Sequence, residues 1–265
     1  MLAGCGSLGK LNNAFTRTET SFNTDNTEDL KIGEDTQKNH PDDNPDIYLD
    51  AYMPWQLALA KERGVSDQYL RDNAKFFLGE LKQWFGSTLN APMPPQSELD
   101  GLLIDKWLET YGDILTLRSE IAVLLTEQKD NIYYSLLVTA SEGGGPVLVA
   151  WEHDEEGIQI LGSDQADCPF SIPPVRPTVA ELAGNRIMFS LLHNDAWYGG
   201  DDENRRHVHS ATFSVTMESG AVLTQNVAEL PCILLFLPEK EYTFWSLSDS
   251  NGKLIWDSLD STYHG

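Results

Sequence analysis

Apolar residues between positions 47 and 112 recur every three or four positions, which is the spacing of amphipathic helices. Proline favours the first turn of a helix, serine and aspartate cap its start, and glycine often follows its end. These signals predict three helices, with the following start and stop residues: Pro54 and Gly64, Ser66 or Asp67 and Gly86, and Ser97 and Gly112.

From residue 114 onward the pattern changes to short runs rich in β-branched and aromatic residues, separated by glycine-containing turns. The predicted strands are Leu115–Thr126, Asn131–Ser141, Val147–His153, Arg186–His193, Val208–Met217, Ala221–Val227, Ile233–Leu237, Tyr242–Ser248 and Lys253–Ser258. The chain is therefore predicted to be an α+β protein, in which an N-terminal helical segment packs on a C-terminal antiparallel β-sandwich or meander.

The first 46 residues differ in composition from the rest. Asn, Thr, Asp and Glu predominate, and apolar residues occur singly, too few to bury a core. A flexible segment of about 40 residues has a root-mean-square reach of roughly 35 Å. We therefore expect an attachment site and disordered tether over residues 1–46, a helical segment over 47–112 and a β-rich domain over 113–265.

The chain is strongly acidic. It carries 41 acidic and 18 basic residues, for a formal net charge of −23, and 32 of the acids lie beyond Asp46. Such a surface repels nucleic-acid phosphates and anionic lipid headgroups, so no nucleic-acid partner is expected. It attracts basic proteins and cations, although solubility alone also explains an acidic surface.

A short motif near the start indicates where the protein works. Leu2-Ala3-Gly4-Cys5 resembles the lipobox of bacterial lipoproteins, and a motif of this kind changes the expected relation to the membrane. Only four residues precede Cys5, fewer than a signal peptide needs, so we expect the gene to begin upstream. The resemblance implies lipid on Cys5, and Gly6 resembles an outer-membrane sorting signal, with the protein facing the periplasm. The alternative is a chance run of small residues.

The two remaining cysteines fit an oxidising compartment. If Cys5 carries lipid, Cys168 and Cys232 form an even pair, and we expect a disulfide between them. Two separate buried thiols are the alternative, because cysteine is often a core residue.

Three histidines surround one loop and suggest a metal site. His207 and His209 share strand parity with Phe213 and the other apolar residues of their strand. If this strand pairs with the one that ends at His193, the three imidazoles converge and leave an open position for water on zinc. Hydrogen-bonded histidines at the end of a core stripe are the reading we favour, and no cofactor is expected.

The loop between these histidines suggests a binding site for a protein. Trp197 and Tyr198 stand beside two glycines and are followed by Asp201, Asp202 and Glu203. Large aromatic side chains anchor interfaces, and an acidic rim suits a basic partner. The alternative is a loop whose aromatics cover the end of the sheet.

No catalytic motif is recognised: the chain has no Gly-x-Ser-x-Gly, no His-Glu-x-x-His and no Gly-x-Gly-x-x-Gly behind a predicted strand. We therefore predict a binding protein and not an enzyme. A tethered acidic lipoprotein of this kind resembles the immunity lipoproteins that neutralise periplasmic antibacterial toxins such as secreted phospholipases. That resemblance implies a toxin as partner. The alternatives are a structural or carbohydrate-binding envelope lipoprotein and a metal-dependent hydrolase that uses His193, His207 and His209.

Overall fold

Helices precede strands along the chain, as the spacing of apolar residues predicts. The computed structural model describes residues 46–89, 91–139, 145–166, 175–192, 195–197, 205–207 and 210–259. Contacts divide the chain into Met1–Pro41 and Asp42–Gly265, and everything described belongs to the second unit. The described part is a mixed helix and sheet structure with its helices in the N-terminal part and several antiparallel sheets.

The helices are short, and five of the six predicted helix ends match the structure. They are α1 Asp46–Leu49, α2 Pro54–Glu62, α3 Asp67–Phe77, α4 Glu80–Trp84, a π-helical turn Phe85–Leu89, α5 Glu98–Tyr111 and a 3₁₀ turn Arg118–Glu120. At the start of α5, Ser97 Oγ accepts a hydrogen bond from Asp100 N–H at 3.1 Å, and Asp100 Oδ2 accepts one from Ser97 N–H at 2.8 Å. This reciprocal capping box and Gly112 at the other end confirm the third predicted helix.

The second predicted helix, which was expected to run from Ser66 or Asp67 to Gly86, is divided in the structure. Ser66 caps α3 as expected, since its Oγ accepts a hydrogen bond from Tyr69 N–H at 3.2 Å. Gly79, however, has a φ of +93° and separates α3 from α4. This left-handed conformation is readily adopted only by glycine, so the helix ends there. Gly86, the predicted stop, lies inside the π-helical turn.

The strands form three larger sheets and one small one, all antiparallel. The strand bounds are β1 Ile121–Lys129, β2 Ile132–Thr139, β3 Val147–Asp154, β4 Gly157–Gln165, β5 Thr178–Leu182, β6 Asn185–Leu191, β7 Asp195–Trp197, β8 Arg205–His207, β9 Thr212–Met217, β10 Val222–Asn226, β11 Cys232–Phe236, β12 Tyr242–Ser248 and β13 Leu254–Asp257. The first sheet has the order β1-β2-β3-β4, the second β10-β9-β12-β13 and the third β11-β6-β5, while β7 pairs only with β8.

Alternate residues of the third sheet pack on two different cores. Phe189 and Leu234 belong to a buried cluster shared with the first sheet, whereas Met188 and Ile233 belong to one shared with the second sheet. Successive side chains point to opposite faces of a strand, so the third sheet lies between the other two. This arrangement explains why β6 and β11 read as continuous apolar runs.

Of the helices, α5 covers the outer face of the first sheet, whereas Leu81 of α4 packs in the cluster between the first and third sheets. Leu103 and Leu108 of α5 pack with Val123, Val149 and the stacked Trp151 on that face. The shorter helices α1 to α3 share a separate cluster with Ile114 and Leu117, in the segment that leads into β1. Among the described helices, α5 is therefore the one that packs on the outer face of the first sheet.

Two glutamine side chains cover strand edges. Gln225 of β10 accepts a hydrogen bond from Leu234 N–H at 3.0 Å and donates one to the carbonyl of Cys232 at 3.3 Å, along the outer edge of β11. On the outer edge of β1, Gln96 accepts a hydrogen bond from Val123 N–H and donates one to the carbonyl of Val123. Each amide takes the place of a neighbouring strand and satisfies main-chain groups that an edge otherwise leaves open.

Candidate functional site

The predicted partner-binding loop begins and ends in a two-stranded arm. Asp195 pairs with His207 and Trp197 pairs with Arg205 in antiparallel register. Among the described strands, β7 and β8 join none of the three larger sheets. Trp197 therefore lies at the last paired position of β7. The other members of the predicted binding site, Tyr198, Asp201, Asp202 and Glu203, lie outside the described residues.

The zinc interpretation assumed that the strand ending at His193 pairs with the strand that contains Phe213. In the structure these two strands lie in different sheets. β6, the strand expected to end at His193, pairs with β5 and β11, whereas β9 pairs with β10 and β12. Their apolar stripes also face different clusters: Phe189 faces the first sheet, and Phe213 packs in the core of the second. His193 and His209 lie outside the described residues, and His207 is described only as a backbone position opposite Asp195.

The stripe that was expected to lead to the histidines is itself confirmed. Phe213, Val215 and Met217 alternate with half-exposed residues and are buried. The part of the chain that the structure describes holds no group of three or more His, Cys, Asp or Glu residues arranged for a metal ion. The zinc set therefore stays a prediction about residues that lie mostly outside that part.

The cysteines are only partly described. Cys232 is 1% exposed in the cluster between the first and third sheets, and no described cysteine is bonded to its thiol. Burial raises the pKa of this thiol to about 12, so that the reactive thiolate is disfavoured. Cys168 and Cys5 lie outside the described residues, so the predicted disulfide and the lipid attachment stay predictions.

A cleft that the sequence analysis missed lies between α5 and the β3–β4 hairpin. Its volume is about 400 Å³. The polar residues that line it are Asp105, Lys106 and Glu109 from α5 and His153 and Glu156 from the hairpin. Leu102, Ile158 and Met53 supply an apolar part. The signal in the sequence was the four-residue spacing of one face of α5, which by itself does not reveal what that face lies against.

Several charges of this cleft are already paired. Arg118 forms an ion pair with Asp105, and Lys106 Nζ lies 3.5 Å from Glu109 Oε2. His153 and Glu156 are exposed, as are the neighbouring acids of the Asp154-Glu155-Glu156 run. The cleft can hold a small cationic group among its carboxylates, but its acids are solvated in the way that ordinary surface acids are.

A buried carboxyl group lies beneath α4. Glu120 is 1% exposed, and its Oε1 has no hydrogen-bond partner among the described residues. Burial, together with the nearby negative charge of Glu80, raises its pKa to about 7. No sequence motif marks this residue, because it is buried by tertiary packing, in which both α4 and α5 contact the 3₁₀ turn before β1.

Comparison with known proteins assigns no family to this arrangement. No protein-family model matches the chain, and no curated protein resembles it closely enough to count as a match. Within the described ranges, none of the helices has the length and apolar character needed to cross a lipid bilayer.

Proposed function

We propose that this protein is a binding protein, and not an enzyme, that works as a lipoprotein of the bacterial cell envelope. In this proposal Cys5 carries the lipid, the outer membrane holds it, and the folded part faces the periplasm. Its partner is a protein with a basic surface, and a secreted antibacterial toxin such as a phospholipase fits that description. A structural or carbohydrate-binding envelope lipoprotein is the second candidate.

The single observation that carries the proposal is the β7–β8 arm. The paired positions Trp197 and Arg205 form the last step of a two-stranded ribbon that belongs to none of the larger sheets. A ribbon of three residue pairs contributes little to a core, so the fold has no evident need of it. A separate ribbon whose sequence carries Trp197 and is followed by Asp201, Asp202 and Glu203 suits a partner with a cavity and a basic rim.

Charge supports the choice of partner. The net charge of −23 gives the protein a negative field that speeds the approach of a basic protein and slows that of nucleic acid or anionic lipid. Asp201, Asp202 and Glu203 place three of these charges in the loop of the arm. We expect them to act mainly on the association rate, which falls as salt increases.

The finer architecture also belongs to this proposal. The three larger sheets are best explained as a stacked sandwich with the third sheet in the middle, since its two faces belong to two separate clusters. Such a stack is rigid because alternate side chains interlock on both faces of the middle sheet. A rigid stack is a suitable support for a short arm, since it limits the conformational entropy lost on binding.

Site-specific photo-crosslinking in the bacterial envelope tests the proposal. A photoreactive amino acid at Trp197 should give one discrete adduct with a protein partner. The matched control is Phe76, an aromatic residue of α3 that is 66% exposed and lies outside the arm. With the crosslinked protein purified, Trp197→Ala should weaken binding by about thirtyfold, or roughly 2 kcal/mol, whereas Phe76→Ala should leave affinity unchanged. Equal adducts at both positions would contradict the proposed site.

The membrane anchor has its own test. In cells that produce the protein from its own gene, Cys5→Ser should move it from the membrane fraction to the soluble fraction. Mass spectrometry of the unchanged protein should find acyl chains on Cys5. A protein that stays in the same fraction after the substitution refutes the anchor but leaves the binding proposal intact.

A further inference from the structure

No residue in the described part of the chain forms a main-chain hydrogen bond with the outer edge of β10. β10 is the last strand of the second sheet and pairs with β9 on one side only. Hydrogen bonds join Met217 N–H to the carbonyl of Ala221, and Val227 N–H to the carbonyl of Ala211. In an antiparallel ladder such bonded pairs alternate with pairs whose N–H and C=O groups point away.

The register therefore assigns a direction to every residue of β10. Leu223 and Gln225 stand at bonded positions opposite Val215 and Phe213. The intervening residues, Val222, Thr224 and Asn226, turn their N–H and C=O groups to the outer edge, and all three side chains are exposed. The side chain of Val222, although apolar, is 58% exposed.

Other edges in the described part of the chain are protected. Gln96 covers β1 and Gln225 covers β11, while the edge strands β4, β5 and β13 carry the charged residues Asp164, Glu181 and Asp257. Charges and covering groups are the usual devices that keep an edge from pairing with another chain. Among the edge strands described, β10 has neither, since Val222–Asn226 contains no charged residue, no proline and no side-chain cap.

We propose that the outer edge of β10 binds an extended segment of another protein, which adds to the second sheet as a further strand. The segment we infer has an uncharged stretch of about five residues with β propensity and basic residues on both sides of it. Glu218 precedes β10 and Glu229 follows it, and both are exposed, so basic residues at the two ends of the segment complement them.

The charge of the chain argues against a second copy as the occupant. Two chains that each carry a net charge of −23 repel one another, and pairing β10 with itself brings Glu218 of one copy close to Glu229 of the other. A basic segment gains the same main-chain hydrogen bonds without that repulsion. This inference is independent of the β7–β8 arm, because it concerns a different sheet.

A synthetic peptide tests the edge directly. The probe has the sequence Lys-Lys-Thr-Val-Thr-Val-Thr-Lys-Lys, with both ends blocked. Its control replaces each valine with proline, which keeps the charge but removes two main-chain donors. Hydrogen exchange on the intact protein should show fast amides at Val222, Thr224 and Asn226, slow amides at Leu223 and Gln225, and slowing of the first three when the probe is added. The proline peptide should give no slowing.

Thr224→Pro supplies the matched variant. The N–H of Thr224 points to the outer edge, so proline removes no bond of the β10–β9 ladder and the fold should be kept. Probe binding should weaken by about tenfold or more, as expected for loss of an edge hydrogen bond and the clash of the ring with an added strand. Thr224→Val keeps the N–H and should bind the probe as the unchanged protein does.

Three results would overturn the inference. Slow exchange at Val222, Thr224 and Asn226 in the free protein means that the edge is already covered. Equal binding of the probe by Thr224→Pro places the peptide elsewhere. Sedimentation that shows a dimer of the unchanged protein and a monomer of Thr224→Pro means that a second copy occupies the edge.

Discussion

The side-chain amide of Gln96 pairs with both main-chain groups of Val123. Oε1 accepts a hydrogen bond from Val123 N–H at 2.8 Å, and Nε2 donates one to the carbonyl of Val123 at 3.0 Å. A second donation from Nε2 reaches the carbonyl of Pro94 at 3.0 Å, so the proline-rich segment before α5 is fixed to the edge of β1. One side chain thus connects the helical segment to the first sheet.

Gln96→Leu should lower the free energy of unfolding by about 1–3 kcal/mol. The substitution keeps the size of the side chain but leaves the N–H of Val123, a residue only 5% exposed, without a partner. Urea unfolding measures the change. Gln159→Leu is the control, since Gln159 lies exposed on β4, and its effect should stay within about 0.5 kcal/mol. Equal effects of the two substitutions would show that the amide pair contributes nothing.

Gly79 and Gly86 should respond in opposite directions to alanine. Neither would crowd a neighbouring atom with an added Cβ, but only Gly79 has a positive φ, at +93°. Gly79→Ala should therefore destabilise the protein by about 1 kcal/mol, whereas Gly86→Ala, inside the π-helical turn, should be neutral or stabilising. Thermal unfolding of both variants measures the difference. A loss of stability in Gly86→Ala alone would place the helix break elsewhere.

Glu120 should make the stability of the protein fall between about pH 4.5 and pH 7. Its pKa in the folded protein is about 7, above the value of 4.5 for an ordinary glutamate. The unfolded chain therefore releases this proton first as pH rises, which favours unfolding until the folded carboxyl also ionises. Glu120→Gln removes this dependence, so its advantage over the unchanged protein should grow across that interval and then level off.

Urea unfolding at pH 5, 6, 7 and 8 measures this effect of Glu120. Glu229→Gln serves as the control, because Glu229 is exposed and none of the ion pairs described involves it. The control should show no such growing advantage. A constant difference between Glu120→Gln and the unchanged protein at all four pH values would contradict the buried, protonated state.

The predicted elements agree best where the signals are local. Ser97 and Gly112 fix the two ends of α5 through hydrogen bonds within one turn, and the predicted strand Tyr242–Ser248 matches β12 residue for residue. β4 and β5 were missed. β4 contains two glycines, and its apolar alternation is limited to Ile158 and Ile160, so the local signal is weak and the strand is defined by its pairing with β3.

In the candidate site, too, local features were predicted and long-range arrangements were not. Trp197 was singled out from its neighbours in the sequence, and the register of the arm places it at the last paired position of β7. The zinc interpretation assumed that β6 and β9 are neighbours, which they are not. The sequence of a strand does not specify which distant strand it pairs with. The cleft beside α5 was missed because the sequence does not show that α5 lies against the β3–β4 hairpin.

The sequence by itself determined the order of helices and strands, the caps, the turns and the alternation that buries Phe213 and Val215, because each depends on residues within a few positions. Only the tertiary structure decided which sheet lies in the middle and which edges glutamines cover. It also decided that Glu120 Oε1 is buried with no hydrogen-bond partner among the described residues, and that no other described strand pairs with the outer edge of β10. These properties depend on the packing of whole elements against one another. Their energies come from contacts between residues far apart in the chain, which no local pattern specifies.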